Sequence, residues 1–167
     1  AQNFKSVSGN NGPVFPAGFP YKSGSFRVDQ NQKISFILDQ GQLTNAYPLL
    51  EFSKGKNARI TIGYAEALYI DEGGQKDWRA QNKKGNRNDI VKKRFVGVRD
   101  IIIPDGKDKQ TFSTLSYRTF RYVQVSIETR DEELIIEKFH SLFTGYPFTL
   151  KANFETGNDT LDKIFST

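Results

Sequence analysis

The chain has 167 residues, 26% of them charged, a net charge of +5, and 14 Phe and 7 Tyr. That is the length of one domain, sufficient to bury roughly two thirds of the unfolded chain's surface. The absence of cysteine excludes disulfides, thiolate metal sites and a cysteine nucleophile, and the single histidine, His140, excludes multi-histidine metal centres.

Residues 1–23 are rich in Gly, Pro, Ser and Asn without periodicity and read as an extended lead-in. Short segments with two-residue alternation follow: "SFRVDQ", then "KISFILD", in which Ile34, Phe36 and Leu38 alternate with Lys33, Ser35 and Ile37, then "AYPLLEFS". These predict strands. After the turn "KGKN" comes "ARITIGYAEALYI", where Ile60, Ile62 and Tyr64 are expected to share one face with Glu66 and Leu68. Ala, Glu and Leu would equally suit a helix over "YAEALY", but the β-branched residues upstream and the "DEGG" stop favour a strand.

This stretch places Glu66, Asp71 and Glu72 within seven residues, and paired carboxylates are the working groups of sugar-cleaving sites. A carboxylate in mid-strand needs exposure or a counter-charge, because burying it unpaired is costly. Glu66 is therefore expected to form a structural ion pair with Arg118 or Arg121, and Asp71 and Glu72 to serve the turn.

Residues 73–88 form a polar loop too long for an ordinary connector. Residues 76–94 hold eight basic and two acidic side chains. Such a cluster could attract phosphates or an anionic polysaccharide, or simply be a solvated surface loop. Its aromatic residues are not interleaved with the basic ones as nucleic-acid stacking platforms require, so no nucleic acid is expected as a partner. The loop does offer Trp78, Arg79, Asn82, Asn86 and Arg87 as a carbohydrate-binding set, an aromatic face with polar groups for hydroxyls; alternatively Trp78 packs on the edge of the fold or against a further domain.

Strands resume at "RFVGVRDIIIP", then, after the turn "DGKDK", at "TFSTLSYRTFRYVQVSIET", "LIIEKFHSLFTGYP" and "TLKANFET". His140 lies within an apolar strand and reads as structural. Only "GNDTLDKIFST" looks helical, with Asn158 as N-cap, Asp159 and Asp162 at its positive end, and Leu161, Ile164 and Phe165 on one apolar face that should dock on something. No apolar run approaches the ~18 residues of a membrane span. Nine or ten short strands separated by turns predict an all-β, antiparallel sandwich over residues 24–157, with a short C-terminal helix over 158–167.

In order along the chain, "YAEALY" (64–69), "DEGG" (71–74), "NRND" (86–89), "FRYVQV" (120–125) and "FETGNDTLDKIF" (154–165) resemble the concanavalin-like β-sandwich domain of bacterial α-L-rhamnosidases, glycoside hydrolase family 78. The resemblance runs over about residues 24–165. It implies a jelly-roll-type sandwich followed by a helix that leads into an α/α-barrel catalytic domain. In that family the barrel carries both carboxylates of an inverting reaction, so the resemblance brings no catalytic residue, metal or cofactor to this chain. It implies a parent glycosidase acting on rhamnose-containing glycans, with this part alone inactive. The family's calcium-dependent rhamnose-recognition domain is a different sandwich upstream. Two readings follow: a non-catalytic domain supporting the barrel, or a freestanding carbohydrate-binding module. The lack of methionine leads to the expectation of a piece of a longer or processed protein. Its localisation is left open by the sequence, with a secreted, periplasmic or cell-surface place expected ahead of a cytoplasmic one.

Overall fold

A computed structural model describes residues 6–8, 24–70, 83–149, 151 and 155–165. Strand β1 (Ser6–Ser8) lies in the lead-in and pairs with residues 37–39 of β3. The others are β2 (Phe26–Val28), β3 (Lys33–Lys54), β4 (Arg59–Ala65), β5 (Tyr69–Ile70), β6 (Lys93–Arg94), β7 (Val98–Ile102), β8 (Gln110–Ser113), β9 (Arg118–Glu128) and β10 (Leu134–Phe143), followed by helix α1 (Asp159–Phe165). Every pairing among the described residues is antiparallel.

The two segments expected as separate strands, "KISFILD" and "AYPLLEFS", are one continuous strand of 22 residues. Its pairing with β9 breaks between Asp39 and Thr44, where Gly41 adopts φ 81°, a conformation that an L side chain disfavours. That irregularity lets β3 serve both layers of the sandwich. Its first half pairs with β1 and β9, the β9 pairing resuming at Thr44–Ala46 after the break, and β9 leads on to β4 and β7; the rest of its second half pairs with β8 and β10, and β10 leads on to β2. The rings of Phe26 from one layer and Phe36 from the other meet edge to face at 5.9 Å.

Alternation fills the space between the layers. Phe36, Leu38, Leu50 and Phe52 of β3, Ile60, Ile62 and Tyr64 of β4, and Val123, Val125 and Ile127 of β9 all belong to one buried cluster. Strand β9 also carries a second set of apolar contacts on the outside. Tyr122, fully buried, packs there with Ala65, Leu68 and Phe95, and with the half-buried Ile37 and Ile90. These residues place the segment before β7 across the outer face of the first layer.

The expected strand over "YAEALY" ends sooner than its composition suggests. Strand β4 stops at Ala65, the chain bends at Glu66 and Ala67, and a short strand resumes at Tyr69. The bend breaks the alternation, so Glu66 turns to solvent instead of sharing the Tyr64 face, while Leu68 joins the outer cluster. Lys151, Glu155 and Thr156 of "TLKANFET" join no ladder; Leu150 and residues 152–154 lie outside the described residues, as does the whole "DEGG" turn.

Helix α1 starts as its sequence predicts. Asn158 Oδ1 accepts hydrogen bonds from the amides of Thr160 at 3.0 Å and Leu161 at 3.4 Å, and Asp162 Oδ1 accepts from Thr156 Oγ1 at 2.7 Å. The Thr156 bonds hold the Asp162 carboxyl below its ordinary pKa. Leu161 and Ile164, however, are 49% and 68% exposed.

Candidate functional site

Two strand arginines carry the principal charge pairs of the first layer. Arg121 binds Asp39 through Nε at 3.0 Å and Nη2 at 3.1 Å, and also donates to Asn88 Oδ1. Arg118 binds Asp100 through Nη2 at 2.8 Å and Nε at 3.2 Å, its guanidinium 5.7 Å from the centroid of the Tyr64 ring. Planar guanidinium and planar carboxylate make two parallel bonds in each pair, the strongest arrangement open to such groups. The expected pairing of Glu66 with Arg118 or Arg121 is thus corrected. Both arginines are taken by aspartates, Arg121 by Asp39 of the adjacent β3 and Arg118 by Asp100 of β7, one strand beyond β4, and Glu66 has no ion-pair partner among the described residues because the bend after β4 points it outward.

Beside this bend, where β4, β7 and β9 converge at one end of the sandwich, lies a cavity of about 430 Å³. Its apolar wall comes from Ala65, Ala67, Val96, Gly97 and Val98. Its polar wall comes from Tyr64, Glu66, Tyr69, Lys84 and Thr119. The close packing that shapes it depends on Gly97, where a Cβ would fall 1.8 Å from the Tyr64 carbonyl oxygen. Lys84 holds its ammonium 5.3 Å from the Tyr69 ring centroid. Thr119 Oγ1 donates to Asn45 Oδ1 at 2.6 Å, which leaves its lone pairs as acceptors. Tyr64 is 3% exposed, and burial, then the neighbouring Asp100 carboxylate, push its phenol pKa far above the ordinary value. A phenol that stays neutral is unsuited to act as a base.

Of the carbohydrate-binding set expected from sequence, Trp78, Arg79 and Asn82 lie outside the described residues. Asn86 and Arg87 are exposed on the loop that leads to β6. The Asn86 side chain accepts from the Asn88 amide at 3.0 Å, a turn-forming bond, and the Arg87 carbonyl accepts from the Tyr122 hydroxyl at 2.9 Å. Neither residue lines the cavity. The residues that do, Tyr69, Lys84, Val98 and Thr119 among them, come from separate segments, and no spacing in the sequence links them. Only the motif "YAEALY" signalled the place, through Tyr64, Glu66 and Tyr69.

His140 on β10 is 6% exposed and pairs across the ladder with Leu49. Its Nδ1 has no hydrogen-bond partner, and burial, then Lys138, hold its pKa below the ordinary imidazole value. It stands apart from the cavity lining.

Comparison with known proteins adds the following. The family described as the bacterial alpha-L-rhamnosidase concanavalin-like domain matches residues 29–145. No curated protein sequence matches the chain. Among solved structures, a rhamnosidase from Klebsiella oxytoca with rhamnose bound is similar at 12% identity with a TM-score of 0.48; the match covers 83% of this chain and 27% of that one. This chain therefore spans about a quarter of that enzyme's length. A chitosan-binding module of a chitosanase/glucanase from Paenibacillus sp. IK-5 is similar at 14% identity and a TM-score of 0.46, covering 84% of this chain and 96% of that one. The fucose-binding module SpX-3 of Streptococcus pneumoniae is similar at 12% identity and a TM-score of 0.44, covering 86% and 97%. With its antiparallel sandwich, its terminal helix and a family match across more than half its length, the chain belongs to the bacterial α-L-rhamnosidase concanavalin-like domains.

Proposed function

We propose that this chain is a non-catalytic sandwich domain of a glycosidase that removes terminal rhamnose from glycans or glycosides, and that it supports an α/α-barrel catalytic domain of the same protein. The observation that carries this reading is the disposition of the carboxylates. Inverting hydrolysis needs a carboxylic acid and a carboxylate about 6.5–9.5 Å apart on either side of the scissile bond. Among the described residues the cavity beside β4 has one carboxylate in its lining, Glu66, while Asp39 and Asp100 are each locked in two hydrogen bonds to an arginine. His140 stands apart from it, and the Tyr64 phenol stays neutral. With no second carboxyl group in the lining among the described residues, Glu66 can hold a hydroxyl but lacks the partner that inverting hydrolysis needs.

The supporting role rests on apolar surface. Leu161 and Ile164 of α1 are exposed, and so are Leu115, Tyr117, Phe143 and Phe148 around the ends of β8, β9 and β10. These exposed apolar side chains are what an apposed domain would cover. Residues 24–157 then constitute the domain, and residues 158–167 begin the connection to the catalytic barrel.

The test is direct. The purified 167-residue chain, given an aryl α-L-rhamnoside, is expected to release no phenol above the uncatalysed rate. Turnover that survives repurification and disappears with Glu66→Gln would overturn the reading.

A further inference from the structure

The cavity beside β4 has a chemistry that the supporting role does not use. Glu66 reaches solvent at its edge with no ion-pair partner among the described residues, and Lys84 brings an ammonium to the same lining. Among the described residues, two arginines of the neighbouring strand are already engaged, Arg118 by Asp100 and Arg121 by Asp39. The same lining holds small aliphatic residues, Ala65, Ala67, Val96 and Val98.

Such a lining selects its ligand by elimination. A carboxylate only accepts hydrogen bonds and an ammonium only donates them, so both are satisfied by a group that does both, a hydroxyl. With one charge of each sign among the described lining residues, the cavity offers neither an anionic nor a cationic ligand a net attraction, and a neutral ligand meets no like charge. Small aliphatic residues together with polar groups in one lining suit a ring with one hydrophobic side. At about 430 Å³ the cavity is in the range of small-ligand pockets, roughly 300–1,000 Å³. It is also built in advance of any ligand: Tyr64 pairs with Val98 and Ala65 with Tyr122 in the β4 ladders, and Gly97 presses against the Tyr64 carbonyl. A preformed wall spares the ordering cost of binding.

We propose that this cavity binds one neutral sugar ring, a hexopyranose or 6-deoxyhexopyranose. Glu66 accepts from adjacent hydroxyls, Lys84 and Tyr69 face a second hydroxyl or the ring oxygen, and Ala67 and Val98 cover the apolar side. The site stands whether or not the chain is part of a rhamnosidase.

Titration of the 167-residue chain, followed by its amide NMR shifts, tests this. The probes are methyl α-L-rhamnoside, methyl β-D-glucoside and, as the charged comparison, D-glucuronate. At least one neutral glycoside is expected to give saturable shifts at Ala65, Ala67, Val98 and Thr119, with glucuronate bound about tenfold more weakly. Glu66→Ala and Lys84→Met are each expected to weaken the neutral glycoside about tenfold. Both positions lie at the surface, and an unchanged thermal midpoint verifies that the variants fold. Absence of saturation with both neutral glycosides, or saturation that neither variant alters, overturns the proposal. A flat titration leaves the supporting role standing, whereas rhamnoside turnover overturns that role and leaves the binding site standing.

Discussion

The loop of residues 83–95 and helix α1 differ in the direction opposite to their compositions. The loop holds six basic residues and one acidic, yet it is tied to the sheet beneath it. Ile90 and Phe95 pack against Leu68 and Tyr122, the Tyr122 hydroxyl donates to the Arg87 carbonyl, and Lys93 Nζ donates to the carbonyls of Lys84, at 2.6 Å, and Asn86. Helix α1 has a capped first turn and an apolar stripe of which Leu161 and Ile164 face solvent. What attaches a segment is the match between a few anchors and a surface shaped to receive them. Apolar content alone attaches nothing, and a run of lysines does not prevent attachment when their ammonium groups find carbonyls.

The largest effect that would break this comparison lies under the loop. Tyr122→Ala removes the ring on which the loop is seated and is expected to cost about 3–5 kcal/mol by urea denaturation, with faster amide exchange across residues 83–95. Tyr122→Phe removes only the bond to the Arg87 carbonyl and is expected to cost about 1 kcal/mol. If both variants exchanged like the parent chain, the loop would be held by something else. A smaller effect concerns His140, on the other layer and outside both segments. Its pKa is lowered in the folded chain, so the unfolded chain binds the proton more tightly. The resulting stability is present above the unfolded value near 6.5 and is lost as the pH falls below it. His140→Gln is expected to flatten that part of the pH profile, and an unchanged slope would remove the histidine from the account. The smallest effect belongs to the helix: Leu161→Ser and Ile164→Ser are each expected to change the stability of this chain by no more than about 0.5 kcal/mol. A loss above ~1 kcal/mol would mean that the stripe packs within the domain after all.

The comparison also marks how far the residues alone could be read. Alternation placed Ile60, Ile62 and Tyr64 on the buried face of β4, and Asn158 at the start of the helix, because both depend only on neighbours in sequence. The bend at Glu66 was not legible. Ala, Glu, Ala and Leu are compatible with strand, helix or bend, and the choice is made by Leu68 finding the outer cluster. The partners of Arg118 and Arg121 were hidden for another reason. Arg121 is 82 residues from Asp39, and which carboxylate stands opposite depends on strand order and register. The cavity draws on four separate stretches and is visible only once β4, β7 and β9 are side by side.

Strand β3 has a consequence for how this domain assembles. One layer needs its first half and the other its second, and Lys33 must find Glu128 while Lys54 finds Leu134. Neither layer can therefore complete itself while the other remains unformed, and the loops that must close are among the longest the chain permits. Folding governed by such distant pairings is slow and all-or-none. A nick or insertion near Gly41 would then act on both halves at once, and the domain should lose its structure in a single step instead of shedding one layer.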